Sequence, residues 1–158
     1  MKSRSAVKGE NTCVDILSFS AAGHTLGVEL RFVREAFSTG YITPVPLAPE
    51  CIAGTANLRG QVVTLVSISA FIPGAKTNPP LPGSDALLLE WSDLKAGFIV
   101  DRIIEVYRLP LSGYCGRKET NIIFPGAFDL QDGKIMLLDV GAALQEVKRR
   151  SCVKAGMP

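Results

Sequence analysis

Strand-like segments recur along this chain at a nearly constant offset, and that recurrence narrows its possible folds more than any other feature. Displaced by 70 residues, Gly27 falls on Gly97, Leu30 on Val100, Val33 on Ile103, Glu35 on Glu105 and Phe37 on Tyr107. Further along, an offset of 73 places Gly60 on Gly133, Val62 on Ile135, Leu65 on Leu138 and Ala70 on Ala143. Identities are few, and chance matching of short patterns is the alternative. The matched positions keep their order through both halves, however, which favours duplication. Residues 14–19, 86–90 and 98–106 read as apolar strands, and Leu26, Val28 and Leu30 alternate with Gly27, Glu29 and Arg31 at the strand period. Residues 62–68 and 135–140 are almost continuously apolar, as in strands covered on both faces. Helix is expected only as a short turn near 69–72 and over 142–149. The expected fold is therefore all-β, each half a sheet of about five strands closing into a barrel, since closure removes sticky edges. Residues 13–76 form the first half and 77–150 the second, with the proline-rich stretch from Pro73 to Pro82 as connector; 1–12 and 151–158 are read as flexible tails.

Composition agrees with a packed globular chain. The 158 residues are 47% hydrophobic and 20% charged, enough for one domain or two very small ones on a common core. A formal charge of +2 gives no nucleic-acid surface, and Lys148, Arg149, Arg150 and Lys154 read as a solvated helix end that suits the helix dipole. The start, Met1-Lys2-Ser3-Arg4-Ser5, lacks the apolar core of an ordinary secretory signal, and no apolar run approaches the roughly 18 residues that span a bilayer. Cys13, Cys51, Cys115 and Cys152 are too scattered for a metal pair, and His24 is the only histidine. No metal site, cofactor or membrane insertion is expected; the cysteines read as reduced packing residues and the chain as cytoplasmic.

Residues 44–66 hold the most specific local pattern. Pro44, Pro46 and Pro49 stiffen an approach, a Gly54-x-x-Asn57-Leu58-Arg59-Gly60 turn follows, and an apolar strand begins at once. Against the second half, Gly54 recurs as Gly126 and Leu58 as Leu130, but Arg59 meets Gln131. Packing residues repeat while the arginine does not. Arg59 is thus read as a contact residue, the bland alternative being a surface arginine paired with a nearby carboxylate. Val33 and Glu35 flank this corner. Leu47, Ile52 and Leu58 read as packing residues, able to line a partner's groove only if exposed.

Catalytic chemistry finds little support. His24 sits in a turn entering a strand, without a Gly-x-Ser-x-Gly elbow, so a small hydrolase is the weakest alternative. Asp101 and Glu105, four apart in a strand-like segment, are an acid pair only if they share a face; Arg102 and Arg108 make an ordinary charged edge the simpler reading. Phosphate-binding glycine loops are absent, and aromatic residues make up only 7% of the chain. No catalytic residue is assigned and the chain is read as a non-enzyme.

Taken together, Thr43-Pro44-Val45-Pro46 through Asn57-Leu58-Arg59-Gly60, the Gly97-Phe98-Ile99-Val100-Asp101 strand and the Asp132-Gly133-Lys134-Ile135 closing strand resemble the CheW-like family of chemotaxis coupling proteins. The resemblance implies a single CheW-like domain over 13–150, built as two SH3-like five-stranded β-barrels on a shared core with a short C-terminal helix. It implies an adaptor without catalysis that joins the cytoplasmic tip of a chemoreceptor to the regulatory domain of a histidine kinase, recruited to receptor arrays at the inner face of the membrane. By the same resemblance the receptor-binding residues are Val33, Glu35, Gly54, Asn57 and Arg59, and the kinase-binding residues Pro46, Ile52 and Leu58. The family usually carries an Asp and a Leu-Arg at the strand end after Gly60, where this chain has Ser67-Ile68-Ser69. That departure leaves a scaffold of a divergent chemosensory pathway, such as surface motility, as the alternative.

Overall fold

The computed structural model describes residues 12–77, 81–116 and 121–156, and the side chains only as far as Cys152. Expected tail residues 1–11 and 157–158, and Pro79 and Pro80 of the expected connector, lie outside this set. Strands β1 (Cys13–Ala21), β2 (His24–Glu29), β3 (Val33–Ser38), β4 (Ile52–Leu58) and β5 (Gln61–Ser67) come from the first half. The second half contributes β6 (Asp85–Trp91), β7 (Leu94–Val100), β8 (Arg102–Pro110), β9 (Tyr114–Gly116), β10 (Gly126–Leu130), β11 (Gly133–Leu137) and helix α1 (Val140–Gly156). A six-stranded sheet runs β8-β1-β2-β11-β10-β9 and a five-stranded sheet β3-β6-β7-β5-β4. The protein is all-β, two SH3-like barrel-like sheets with one C-terminal helix.

The division into sequential barrels is corrected by this topology. Each half lends its opening hairpin, β1–β2 or β6–β7, to the sheet completed by the other half. The halves are joined by two parallel pairings, β11 on β2 and β5 on β7, and by two antiparallel ones, β8 on β1 and β3 on β6. The parallel pairings explain the matched glycines: a Cβ on Gly27 would meet Ile135 and Ile16 side chains at 2.6 Å, and one on Gly97 would meet Leu65 at 3.0 Å and Phe37 at 3.1 Å. The main core takes side chains from both sheets and the helix, including Phe19, Leu26, Leu89, Phe98, Val66 and Leu144.

Pairing also fixes the internal correspondence. Val33 pairs with Leu89 and Ile103 with Phe19, the offset of 70 read from the sequence. For the later strands the offset is 72, not 73: Leu58 faces Gln61 across one hairpin as Leu130 faces Gly133 across the other. Burial agrees, because Val62 is 75% exposed, which rules it out as the equivalent of the wholly buried Ile135. A slip of one residue exchanges the two faces of a strand, which is why continuously apolar strands conceal it.

Three element boundaries differ from the expectation. The expected strand over 98–106 is two strands in different sheets, broken at Asp101, whose N–H donates to the Ser20 carbonyl at 2.8 Å. The expected strand over 135–140 ends at Leu137, because Asp139 caps the helix by accepting the Ala142 N–H at 3.0 Å. The helix in turn continues to Gly156, past the expected end at 149 and into the expected tail, since Ser151–Ala155 contain no breaker.

Candidate functional site

The β4–β5 hairpin closes with a two-residue loop. Leu58 pairs with Gln61, and the residues between, Arg59 and Gly60, have φ of 53° and 84°. Two positive φ angles identify the type I′ turn, whose twist matches that of the flanking strands. The Asn57 side-chain oxygen accepts the Gly60 N–H at 2.8 Å and locks the loop. Residues 54–58 are therefore strand, and the tight turn expected over Gly54–Gly60 contracts to its last two residues. Gly54 bulges within that strand at φ 151°, where a Cβ would meet the Thr43 carbonyl oxygen at 2.5 Å and the Ile42 side chain at 2.8 Å. The chain returning from β3 thus lies directly over β4, held by the Thr43–Thr55 bridge.

Arg59 projects from the loop with its side chain 77% exposed and finds Glu35 on β3. One guanidinium nitrogen donates to Glu35 Oε1 at 3.0 Å and the other lies 3.0 Å from Oε2. This fork-on-fork pair fixes the arginine's direction as well as its distance. In the second half Glu105 instead accepts the Tyr107 hydroxyl at 3.1 Å, so the ion pair belongs to the first half alone. Of the receptor-side candidates, Glu35, Asn57 and Arg59 converge on one hairpin end. Gly54 is buried beneath the Thr43 backbone, and Val33 is half-buried against the main core.

The kinase-side candidates do not converge. Pro46 is exposed in the loop before β4, while Ile52 at the start of that strand packs on the main core. Leu58 lies at the opposite end of β4, beside Arg59, and packs on the smaller cluster around Leu65 and Leu88. Sequence reasoning missed Leu47, expected to be packed but 88% exposed. Its only signal was its place immediately after Pro46.

The base of this loop is clamped to α1. The Cys51 carbonyl accepts the Ser67 N–H at 2.8 Å, and the Cys51 side chain is fully buried. Burial pushes the Cys51 thiol above its ordinary pKa, opposed by the charge and hydrogen bond of Arg150. Arg150 itself sits 4.9 Å over the Phe71 ring and donates to Glu146 at 2.7 Å. Glu146 is held down to about 2, first by the Arg149 hydrogen bonds and then, against desolvation, by Arg150.

Asp101 and Glu105 form no acid pair with each other. Asp101 accepts the Ala22 N–H at 3.0 Å across a hairpin, whereas Glu105 lies farther along β8 with Tyr107. Ser67 and Ser69 hydroxyls lie 2.9 Å apart and bond to each other. Among the described residues no group of three or more His, Cys, Asp or Glu side chains could hold a metal ion. No helix among them is long and apolar enough to cross a membrane.

Residues 15–148 match the CheW-like domain family. A chemotaxis protein CheW from Thermotoga maritima is 22% identical over 142 residues, covering 84% of this chain and 89% of that protein. One from Rhizobium meliloti is 27% identical over 92 residues, covering 58% of this chain and 59% of its own length. The crystal structure of the scaffolding protein TtCheW from Thermoanaerobacter tengcongensis superposes with a TM-score of 0.72 at 25% identity, covering 81% of this chain and 90% of that one.

Proposed function

The chain belongs to the CheW-like domain family, and from that premise we propose that it couples a chemoreceptor's cytoplasmic tip to the regulatory domain of a chemotaxis-type histidine kinase. It is a scaffolding adaptor of chemotaxis signalling. It acts by binding both partners at once, without catalysis, and is recruited to receptor arrays at the inner face of the membrane. The observation that carries the receptor side is the bidentate Arg59–Glu35 pair on a locked hairpin tip, present in one half and replaced in the other. Such a fork presents a pre-oriented guanidinium with donor capacity to spare, suited to a carboxylate on a receptor helix.

Isothermal titration of the full chain with the kinase regulatory domain and with a receptor tip fragment tests the reading. Micromolar binding to each, and a ternary complex on size exclusion, are expected. No complex with either at high micromolar concentration overturns it. The Ser67–Ser69 pair favours a second reading, a scaffold of a divergent chemosensory pathway, because it leaves this strand end uncharged. Binding to the receptor and kinase of such a pathway, in preference to those of flagellar chemotaxis, decides between the two.

A further inference from the structure

Leu47 combines two unfavourable features that nothing among the described residues offsets. Val45-Pro46-Leu47-Ala48 forms a β-turn, closed by the Ala48 N–H on the Val45 carbonyl at 3.3 Å, and Leu47 has φ of 60°. Proline second and a positive φ third is the pattern of a type II turn, whose third position suits glycine or asparagine. Here it carries an aliphatic side chain, 88% exposed, the most exposed large apolar residue among those described. Leu47 joins none of the apolar clusters. The other non-glycine residues with positive φ are Ala22, Arg59 and Ser92, which are small, polar or ion-paired.

The backbone that carries the side chain is also held still. Pro44, Pro46 and Pro49 restrict the loop, the Ile52 N–H bonds the Pro49 carbonyl at 2.9 Å, and the adjoining Cys51 is clamped between core and helix. A loop backbone fixed before binding loses little entropy on association. Its position separates it from the Arg59 pair. They lie beyond opposite ends of β4, roughly 20 Å of strand apart, so one narrow helical tip seated on Arg59 leaves Leu47 free.

We propose that Leu47 is the anchor of the kinase-side surface, entering an apolar pocket on the kinase regulatory domain with Val45 and Pro46 around its rim. This rests on the coupling function proposed above. Pro46 of the kinase-side set lies in the same turn, and Val45 is itself 42% exposed, so the surface is continuous and uncharged.

The test is titration of the full chain and its Leu47→Asn and Leu47→Met variants with the kinase regulatory domain and, separately, with the receptor tip, alongside thermal melts. Asparagine suits the backbone, so its melting temperature is expected to equal or exceed that of the parent chain. Its affinity for the kinase domain is expected to fall about ten- to hundredfold, the loss of one buried aliphatic side chain. Receptor affinity stays within about twofold, as for an ordinary surface change, and Leu47→Met keeps kinase binding. Unchanged kinase affinity in Leu47→Asn overturns the inference alone, as does a loss confined to the receptor or a loss for both partners with a lowered melt. A parent chain that binds neither partner overturns the coupling function and this inference with it.

Discussion

Arg59 occupies a backbone position that arginine does not favour, and its pairing explains how the side chain is aimed. At φ 53° a glycine or asparagine sits more comfortably, while the exposed ion pair with Glu35 contributes only about 0.2–1 kcal/mol. Stability therefore gives weak grounds for an arginine here, and direction gives strong ones. Arg59→Glu is expected to move the melting temperature by no more than about 3 °C, yet to cut receptor affinity more than about tenfold. The double variant Glu35→Arg with Arg59→Glu rebuilds the pair with reversed polarity. It should recover the parent melt and still fail to bind, and full recovery of binding would show that the pair matters and not the arginine's place. The sequence marked Arg59 because its repeat partner is Gln131, and marked Glu35 by proximity in the chain. It could not mark Leu47, since a proline-leucine step carries no local sign of whether the leucine turns inward or out.

At the scale of elements, strand existence was far more legible than strand continuity. Apolar periodicity located β1, β2, β5, β6 and β11, but β7 and β8 merged into one segment because both are apolar and only Asp101 separates them. Sheet changes depend on which backbone receives the hydrogen bonds, and periodicity does not encode that. Helix α1 shows a complementary case: its basic end looked like a solvated terminus, yet Arg150 packs on Phe71 and braces the loop through Cys51. The brace has a pH signature. Glu146 has its folded pKa lowered from 4.5 to about 2, so its contribution is complete above the unfolded value and is lost as pH falls through about 2. With one of its arginines well exposed, the pair contributes on the order of 1 kcal/mol. Glu146→Gln is expected to melt about 2–4 °C lower at pH 7, with the gap closing between pH 5 and 2. A gap independent of pH would assign the loss to packing.

For the whole molecule, the exchanged hairpins decide what can fold alone. Cutting between residues 76 and 77 separates β3 from β6, β5 from β7, β2 from β11 and β1 from β8, leaving fragment 13–76 with its two antiparallel hairpins and the Thr43–Thr55 bridge. Isolated hairpins are marginal in water, and the main core would lose Leu87, Leu89, Phe98, Leu138 and Leu144 at one stroke. The repeat foretold two similar units, but not that each is completed by the other, because a parallel pairing between distant strands leaves no local trace in composition or period. Fragments 13–76 and 77–158 are each expected to give collapsed amide spectra and no cooperative melt. Mixed or co-expressed, they should regain dispersed spectra as a one-to-one complex, since each supplies the hairpin the other lacks. The half-repeats are alike enough for one alternative, a fragment pairing its own hairpin with its own later strands or with a second copy. A dispersed spectrum from 13–76 alone, monomeric or dimeric, would show that exchange between halves is a choice of connection, not a requirement of the core.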